Sequence, residues 1–332
     1  MQKKRTKRPP VFVQFVKFVA SFSQGLCVSV ANEAIIALVL TFVLVLRGNV
    51  MNDNNAISRR SLLKHAMTAA AGAGLALEFG SGWRAQAASE YGPFKMSFQS
   101  YSLRHFTQID EFVREASKLR LSYVELFSGH LPVNAGPADI KRVRGKLILA
   151  GCKIAAFGVE AFTSDHEKNE ALFKFGRSLG VENLSGDPVK DAFDSLEKLV
   201  KAYDIKIAIH NHGPEDKRWQ KPEWILEAVR NRDPRIGSCA DLGHFIRAGI
   251  GPVEALEMLG SRVLGCHFKD FDKQGKDVVV GTGRLDVVKA LKTLKKIGFA
   301  GPLSLEFEGD EENPVPKMLE CLKAIRDAIN QI

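Results

Sequence analysis

From about residue 89 onward the sequence predicts a (β/α)8 (TIM) barrel folded as a single domain. Two observations carry the prediction. Short β-rich runs alternate with longer amphipathic stretches eight times in about 240 residues, the count and length of such a barrel. No Gly-rich dinucleotide or phosphate-loop fingerprint follows the first run, which sets aside the open doubly wound sheet that uses the same alternation.

The elements follow in order. Strands are expected at residues 95–101, 123–127, 153–159, 181–185, 205–210, 236–241, 263–269 and 303–308, where β-branched and apolar residues alternate with small or polar ones. The helices between and after them are expected near residues 108–120, 137–150, 166–179, 191–202, 222–231, 252–259, 285–297 and 316–330, each with apolar positions three and four apart. The strand over 205–210 is the clearest case. Ile205, Ile207 and Ile209 share one face, and the run ends in His210-Asn211-His212.

The N-terminal part reads as targeting sequence and not as fold. Ser58-Arg59-Arg60-Ser61-Leu62-Leu63-Lys64 puts twin arginines ahead of an Ala/Gly-rich run, and Ala85-Gln86-Ala87 supplies a cleavage pattern. Together they resemble a twin-arginine (Tat) export signal over residues 51–88, which implies the Tat machinery as a partner and a periplasmic or other extracytoplasmic location. Residues 1–50 are expected to be a non-native or apolar extension upstream of a start at Met51. If the apolar stretch 11–46 is a genuine anchor, the protein is membrane-tethered, although Ala34 to Leu46 is shorter than the roughly 18–20 residues that span a bilayer. Residues 89–332 are expected to form the TIM-barrel domain.

Charge divides along the same boundary. Residues 1–88 hold eleven Lys/Arg and three Asp/Glu, which leaves 36 basic and 35 acidic residues in the barrel. That near-balance argues against nucleic acid as a partner. The five cysteines, Cys27, Cys152, Cys239, Cys266 and Cys321, show no C-x-x-C spacing and are expected as buried small hydrophobes, not as a disulfide framework.

Reactive groups in such a barrel lie at the C-terminal ends of its strands. Those ends carry Glu125, Glu160, Asp187, His210 with His212, Asp241 with His244, His267 with Lys269, and Glu306 with Glu308. Face parity sorts them. In Pro302-Leu303-Ser304-Leu305-Glu306-Phe307-Glu308 the leucines and Phe307 face the helices, so the carboxylates face the barrel interior. The same count turns Leu264, Cys266 and Phe268 outward and His267 and Lys269 inward. Consecutive strands therefore offer His210, Asp241, His267 and Glu306 to one point. Two carboxylates and two imidazoles make a site for one divalent cation, with Mn, Co, Zn or Fe suited better than Mg to the mixed N/O set. The alternative is a set of hydrogen-bonded pairs at the barrel mouth.

At these residues a resemblance is visible. HNHGP, ADLGHF, GCHFKD, GTGRLD and PLSLEFE, in this order, resemble the sugar phosphate isomerase/epimerase family of xylose isomerase-like TIM barrels over about residues 94–330. The resemblance implies a single metal held by Glu, Asp, His and Glu, with Asp241, His267 and Glu306 at the last three positions and His210 standing where relatives carry Glu. It also implies proton abstraction beside a carbonyl with stabilisation of an enediolate, hence a divalent-metal-dependent sugar isomerase or epimerase acting on a small sugar or keto-sugar. In that scheme Glu306 is the proton-transfer base, Glu160 the candidate second base, and His212 an orienting or protonating group. Lys269, His244 and Glu125 are the expected substrate contacts. Because His210 replaces one of the family's two metal-bound glutamates, a metal-dependent lyase or hydratase for keto-sugars or glycosides is the alternative, and a non-catalytic sugar-binding barrel the third reading.

Overall fold

The computed structural model describes residues 90–332, and the Tat-type signal, the apolar extension and Cys27 lie outside the described residues. Seven parallel strands come first: β1 Lys95–Phe98, β2 Tyr123–Leu126, β3 Lys153–Phe162, β4 Asn183–Pro188, β5 Lys206–His210, β6 Ile236–Asp241 and β7 Val263–Phe268. A short antiparallel hairpin follows, β8 Asp270–Phe271 with β9 Asp277–Val278, and β10 Pro302–Leu305 is the eighth barrel strand. The sheet runs β1-β10-β7-β6-β5-β4-β3-β2, and a parallel bridge from Gln99 to Glu125 links its two edges. The barrel expected from the alternation is the one observed.

Among the described residues nine α-helices surround it: α1 Ile109–Lys118, α2 Pro137–Leu149, α3 His166–Leu179, α4 Phe193–Tyr203, α5 Pro222–Val229, α6 Leu242–Arg247, α7 Pro252–Leu259, α8 Val287–Lys296 and α9 Val315–Ile329. Their starts follow from capping chemistry. Asp165 accepts the amides of Glu167 and Lys168 ahead of α3, and Asp286 accepts that of Lys289 ahead of α8. At the other end of α3, Gly180 takes φ +76, the left-handed cap that a side chain resists. In α9 the apolar spacing Met318, Cys321, Leu322, Ile325 and Ile329 forms one buried stripe, each large member contributing roughly 1.5–3 kcal/mol by leaving water. Cys239, Cys266 and Cys321 are buried without disulfides, as expected of small hydrophobes, and Cys152 is buried as well.

Differences from the expected elements are local. The first strand stops at Phe98 because Gln99 caps a 3-10 turn, Ser100–Leu103, through the amide of Tyr101. Helix α6 and the β8–β9 hairpin were not anticipated, being six and four residues of structure inside what reads as loop.

Two register shifts matter more. Between β6 and β7, Ser238 lies beside Val263 but Cys239 lies beside Gly265, so Leu264 is an extra residue. It packs inside the barrel with Ala208 and Cys239, and the expectation that Leu264 faces the helices is corrected. Between β3 and β4, Phe157 lies beside Leu184 and Glu160 beside Gly186, again with an extra residue between. Since a one-residue shift exchanges faces, Ala161 and not Glu160 shares the face of Asp187.

Candidate metal centre

His210 ends β5, Asp241 ends β6, His267 is the penultimate residue of β7, and Glu306 follows β10 with its amide donating to the Phe268 carbonyl. All four are buried. The Asn211 between the two histidines is what aligns the first two ligands. Its side-chain oxygen accepts the Asp241 amide at 2.9 Å and its nitrogen donates to the Asp241 carbonyl at 3.0 Å, a reciprocal clamp of β5 on β6. No role for Asn211 was read from the sequence, although its placement in the H-N-H triplet was the available signal. Asp241 also caps α6, since Oδ1 accepts the amide of His244 at 2.7 Å.

That leaves Asp241 Oδ2 buried with no hydrogen-bond partner, which is costly unless a cation meets it. Three imidazole nitrogens surround the oxygen beyond hydrogen-bonding reach: His210 Nε2 at 3.6 Å, His267 Nδ1 at 3.8 Å and His244 Nε2 at 3.8 Å. His210 Nε2 is 3.1 Å from His267 Nδ1, and His267 Nδ1 is 3.1 Å from Glu306 Oε2. Two donors bound to one tetrahedral ion at about 2.1 Å each lie about 3.4 Å apart, so separations of this size suit a shared cation. The ligand atoms of His210, Asp241, His267 and Glu306 all fall within 4.8 Å of one another. The residues fit a divalent metal.

Electrostatics agree. Burial alone would raise the Asp241 carboxyl, but His244, Lys269 and His210 outweigh it and hold it well below the usual carboxylate range. Glu306 is likewise depressed, with burial overcome by Lys269 and His267. For His267, burial would lower the imidazole, but Cys239, Glu125 and Glu306 raise it well above its ordinary value. Without a cation, a proton on His267 supplies the positive charge between carboxylates, and metal binding would release it.

Directly beneath, Glu125 accepts from His267 Nε2 at 3.0 Å, from Ser185 Oγ at 2.5 Å and from Ser304 Oγ at 2.8 Å. Glu125 is 2% exposed and already accepts from these three donors, so where a substrate contact was expected the geometry makes it a candidate support for His267. Glu125, Cys239 and His267 also cluster closely enough for an ion. Their hydrogen bonds are already satisfied from within, and burial pushes the Cys239 thiol up, so the upper tetrad is the better cation site.

The remaining predicted residues are distributed around the tetrad. Lys269, 1% exposed, pairs with Glu306 Oε2 at 3.4 Å and more closely with Glu308. Burial disfavours its charge, yet Glu306, Asp241 and Glu308 keep it protonated, so the residue expected to bind substrate oxygens also neutralises the acidic cluster. His244 Nδ1 accepts from the Arg247 guanidinium at 3.1 Å, and burial lowers its imidazole to about 3. His212 lies 4.6 Å from the His210 ring with its side chain 38% exposed, and burial followed by the charge of His210 lowers it, so it is neutral near pH 7. Glu160 is the exception. Its register turns it away from the face of Asp187, its neighbour is Ser128, and burial raises its carboxyl. The structure does not bring Glu160 into the tetrad.

A barrel whose strand ends gather a mixed N/O donor set defines a class, the single-metal TIM barrels. The chain belongs to the xylose isomerase-like TIM barrel family, whose profile matches residues 113–326. Among curated relatives, an uncharacterized protein of Methanocaldococcus jannaschii is 29% identical over 45% of this chain and 53% of its own length. The 3-oxo-isoapionate decarboxylase of Pectobacterium atrosepticum is 22% identical over 48% of this chain and 62% of its own. The chain thus spans a little over half the length of these relatives. Among solved structures, D-psicose 3-epimerase with D-tagatose from Clostridium cellulolyticum H10 has a TM-score of 0.57 at 15% identity, covering 72% of this chain and 98% of that one. The IolI protein with a bound zinc has a TM-score of 0.58 at 19% identity, covering 72% and 99%. These likenesses are of fold.

Proposed function

We propose that this protein is a divalent-metal-dependent enzyme that moves a proton at the carbon beside the carbonyl of a sugar or keto-sugar. The observation that carries the proposal is the orphaned Asp241 Oδ2 among donors spaced for one ion. His210, Asp241, His267 and Glu306 would hold the metal. When bound it would supply a Lewis acid, withdrawing charge from a substrate oxygen. Two carboxylates and two neutral imidazoles balance a divalent charge, where the three carboxylates implied by the family pattern would overbalance it.

The protein's own groups then divide the proton work. Glu306, kept ionised beside Lys269 and His267, is the carboxylate available as base. His212, neutral and partly exposed, can exchange a proton with a substrate oxygen or with water. His244 and its Arg247 partner close the side above α6.

Isomerisation or epimerisation is the reading that the sugar epimerases of like fold support. One observation favours a lyase or hydratase alternative. With Glu160 turned toward Ser128, the site has one glutamate base and one imidazole, which suits loss of a β-substituent better than symmetric exchange between two carboxylates. The exported location read from the N-terminus remains part of the proposal.

Elemental analysis of the purified protein beside His210→Ala and Glu306→Ala variants is the test. One equivalent of metal, lost in both variants, supports the centre, and solvent deuterium entering a ketose only with the loaded protein supports the chemistry. Absence of metal after reconstitution with Mn, Co, Zn or Fe would remove the proposal.

A further inference from the structure

We infer that the outward face of α2, with the turn that leads from it into β3, docks on the surface of an anionic phospholipid bilayer. The inference is independent of the metal chemistry and concerns a different face of the barrel.

Helix α2 is apolar on both sides. Val143 and Leu147 are buried, the stripe that a surface helix is expected to lay on its core. Ile148 and Leu149 lie on the other side. At about 100° per residue they share the outward face with Ala138 and Gly145, and they are 47% and 81% exposed. Ile148, Pro137 and Ile140 line an open groove of about 440 Å3 between α2 and Ser178 of α3. A single exposed leucine is ordinary, whereas a contiguous apolar strip marks a surface that meets another apolar body.

The charges beside the strip decide what that body is. Lys141 and Arg144 edge the same groove, and Arg120 and Lys153 stand in the turns into β2 and β3, which meet where the Lys153 amide donates to the Ser122 carbonyl at 2.8 Å. All four side chains belong to exposed residues. Among the described residues Arg120, Lys141 and Lys153 form no ion pair, and Arg144 donates to the Ser178 carbonyl at 2.9 Å. The acids of α1 and α2 are all paired: Asp110 with Lys146, Glu111 with Arg114, Glu115 with Lys118 and Asp139 with Arg142. The strip is thus edged by unpaired cations without a competing free anion on these two helices. An anionic bilayer matches both parts, with headgroup phosphates for the cations and acyl chains for Ile148 and Leu149.

The route of the chain points to the same surface. The described residues begin at Glu90, and Tyr91 to Met96 line a cavity of about 260 Å3 together with Ser122, Tyr123 and Lys153. Residues 1–89 therefore join the barrel beside the patch, and they carry eleven Lys/Arg against three Asp/Glu. A negative surface that attracts one attracts the other.

The experiment measures contact and not retention, because attachment through residues 1–89 alone would also hold the full chain on a vesicle. An environment-sensitive fluorophore is placed at Ala138→Cys on the outward face of α2, or at Glu254→Cys on α7 across the barrel. Both carry Cys27→Ser, and Cys152, Cys239, Cys266 and Cys321 are buried. Phosphatidylcholine vesicles, with and without phosphatidylglycerol, carry a nitroxide-lipid quencher. Quenching should be confined to the Ala138 probe and to vesicles containing phosphatidylglycerol. Each cation near such a surface contributes about fivefold, so Lys141→Gln with Lys153→Gln should lower the docked-to-free ratio about 25-fold. Leu149→Ser, at a site too exposed to disturb the fold, should lower it about tenfold. Equal quenching of the two probes, quenching that needs no anionic lipid, or an Ala138 probe indifferent to Leu149→Ser would overturn the inference. So would duplex DNA that shifts the Ala138 probe as strongly as the vesicles do, the behaviour of a nucleic-acid surface.

Discussion

The bond from His267 to Glu125 gives the sharpest prediction, because it separates holding a metal from merely touching one. Glu125→Gln preserves volume but replaces an anion by an amide at a position 2% exposed. In the wild type the carboxylate fixes His267 with Nε2 as the donor and Nδ1 turned toward the tetrad. An amide oxygen can still accept from Nε2 and from Ser304, but the charge assistance is lost, and its NH2 must face Ser185, whose hydroxyl donates toward that position. Loss of such a support lowers metal affinity by about 10- to 100-fold, equivalent to roughly 1.4–2.7 kcal/mol. Ser304→Ala removes one of three hydrogen bonds to the same carboxylate and should weaken binding by no more than about 0.5–1.5 kcal/mol. Competition with a calibrated chelator measures both, with thermal unfolding of the metal-free proteins as the control for folding. A folded Glu125→Gln protein that holds metal within twofold of the wild type would refute the support role and reopen Glu125 as a substrate contact.

Two further outcomes follow from burial and register. His130 is stacked at 3.9 Å on Phe112, and burial lowers its imidazole to about 4, the Leu103 and Phe106 carbonyls offsetting this only in part. The unfolded chain therefore takes up the proton first, so this contribution to stability is complete above pH 6.5 and is lost as the pH falls toward 4, by about 3 kcal/mol in all. Urea unfolding at pH 7.5 and pH 4 should show that loss in the wild type and not in His130→Phe, and parallel pH profiles would contradict it. Glu160→Gln should keep full metal content and reduce solvent proton exchange less than about threefold, whereas a catalytic base lost at that position would cost 100-fold or more. A 100-fold loss with metal retained would return Glu160 to the reaction.

Much of the site was legible because a barrel strand has only two faces. Counting by twos placed His210, His267 and Glu306 inward, and their convergence with Asp241 in space is what the count implied. The count failed at Leu264, and one physical cause governs both that residue and Glu160. Each lies at or just past a position where its strand holds one residue more than its neighbour, and beyond such a bulge inward and outward exchange. Nothing in Val263-Leu264-Gly265 or Phe157-Gly158-Val159-Glu160 announces the extra residue, because a bulge is a property of two strands and the sequence displays one at a time. The same limit hid the partners of Glu125 and Asn211. Both were visible at strand ends, but that Glu125 serves His267, and that Asn211 clamps β6, depends on pairings 142 and 30 residues away in the chain.

The two layers of the mouth meet in one imidazole. His267 Nδ1 faces Glu306 and Asp241 above, and Nε2 faces Glu125 below, so whatever occupies the upper side is felt by the hydrogen-bonded layer under it. With a proton the ring is a cation bridging carboxylates on both sides. With a metal above, the ring must be neutral at Nδ1 and keep its proton at Nε2, where Glu125 and the two serines hold it. His210 has no such counterpart, since its Nδ1 is buried without a partner. Of the four residues that would hold a metal, His210, which stands where the resemblance implies a glutamate, is therefore the one least supported by its surroundings.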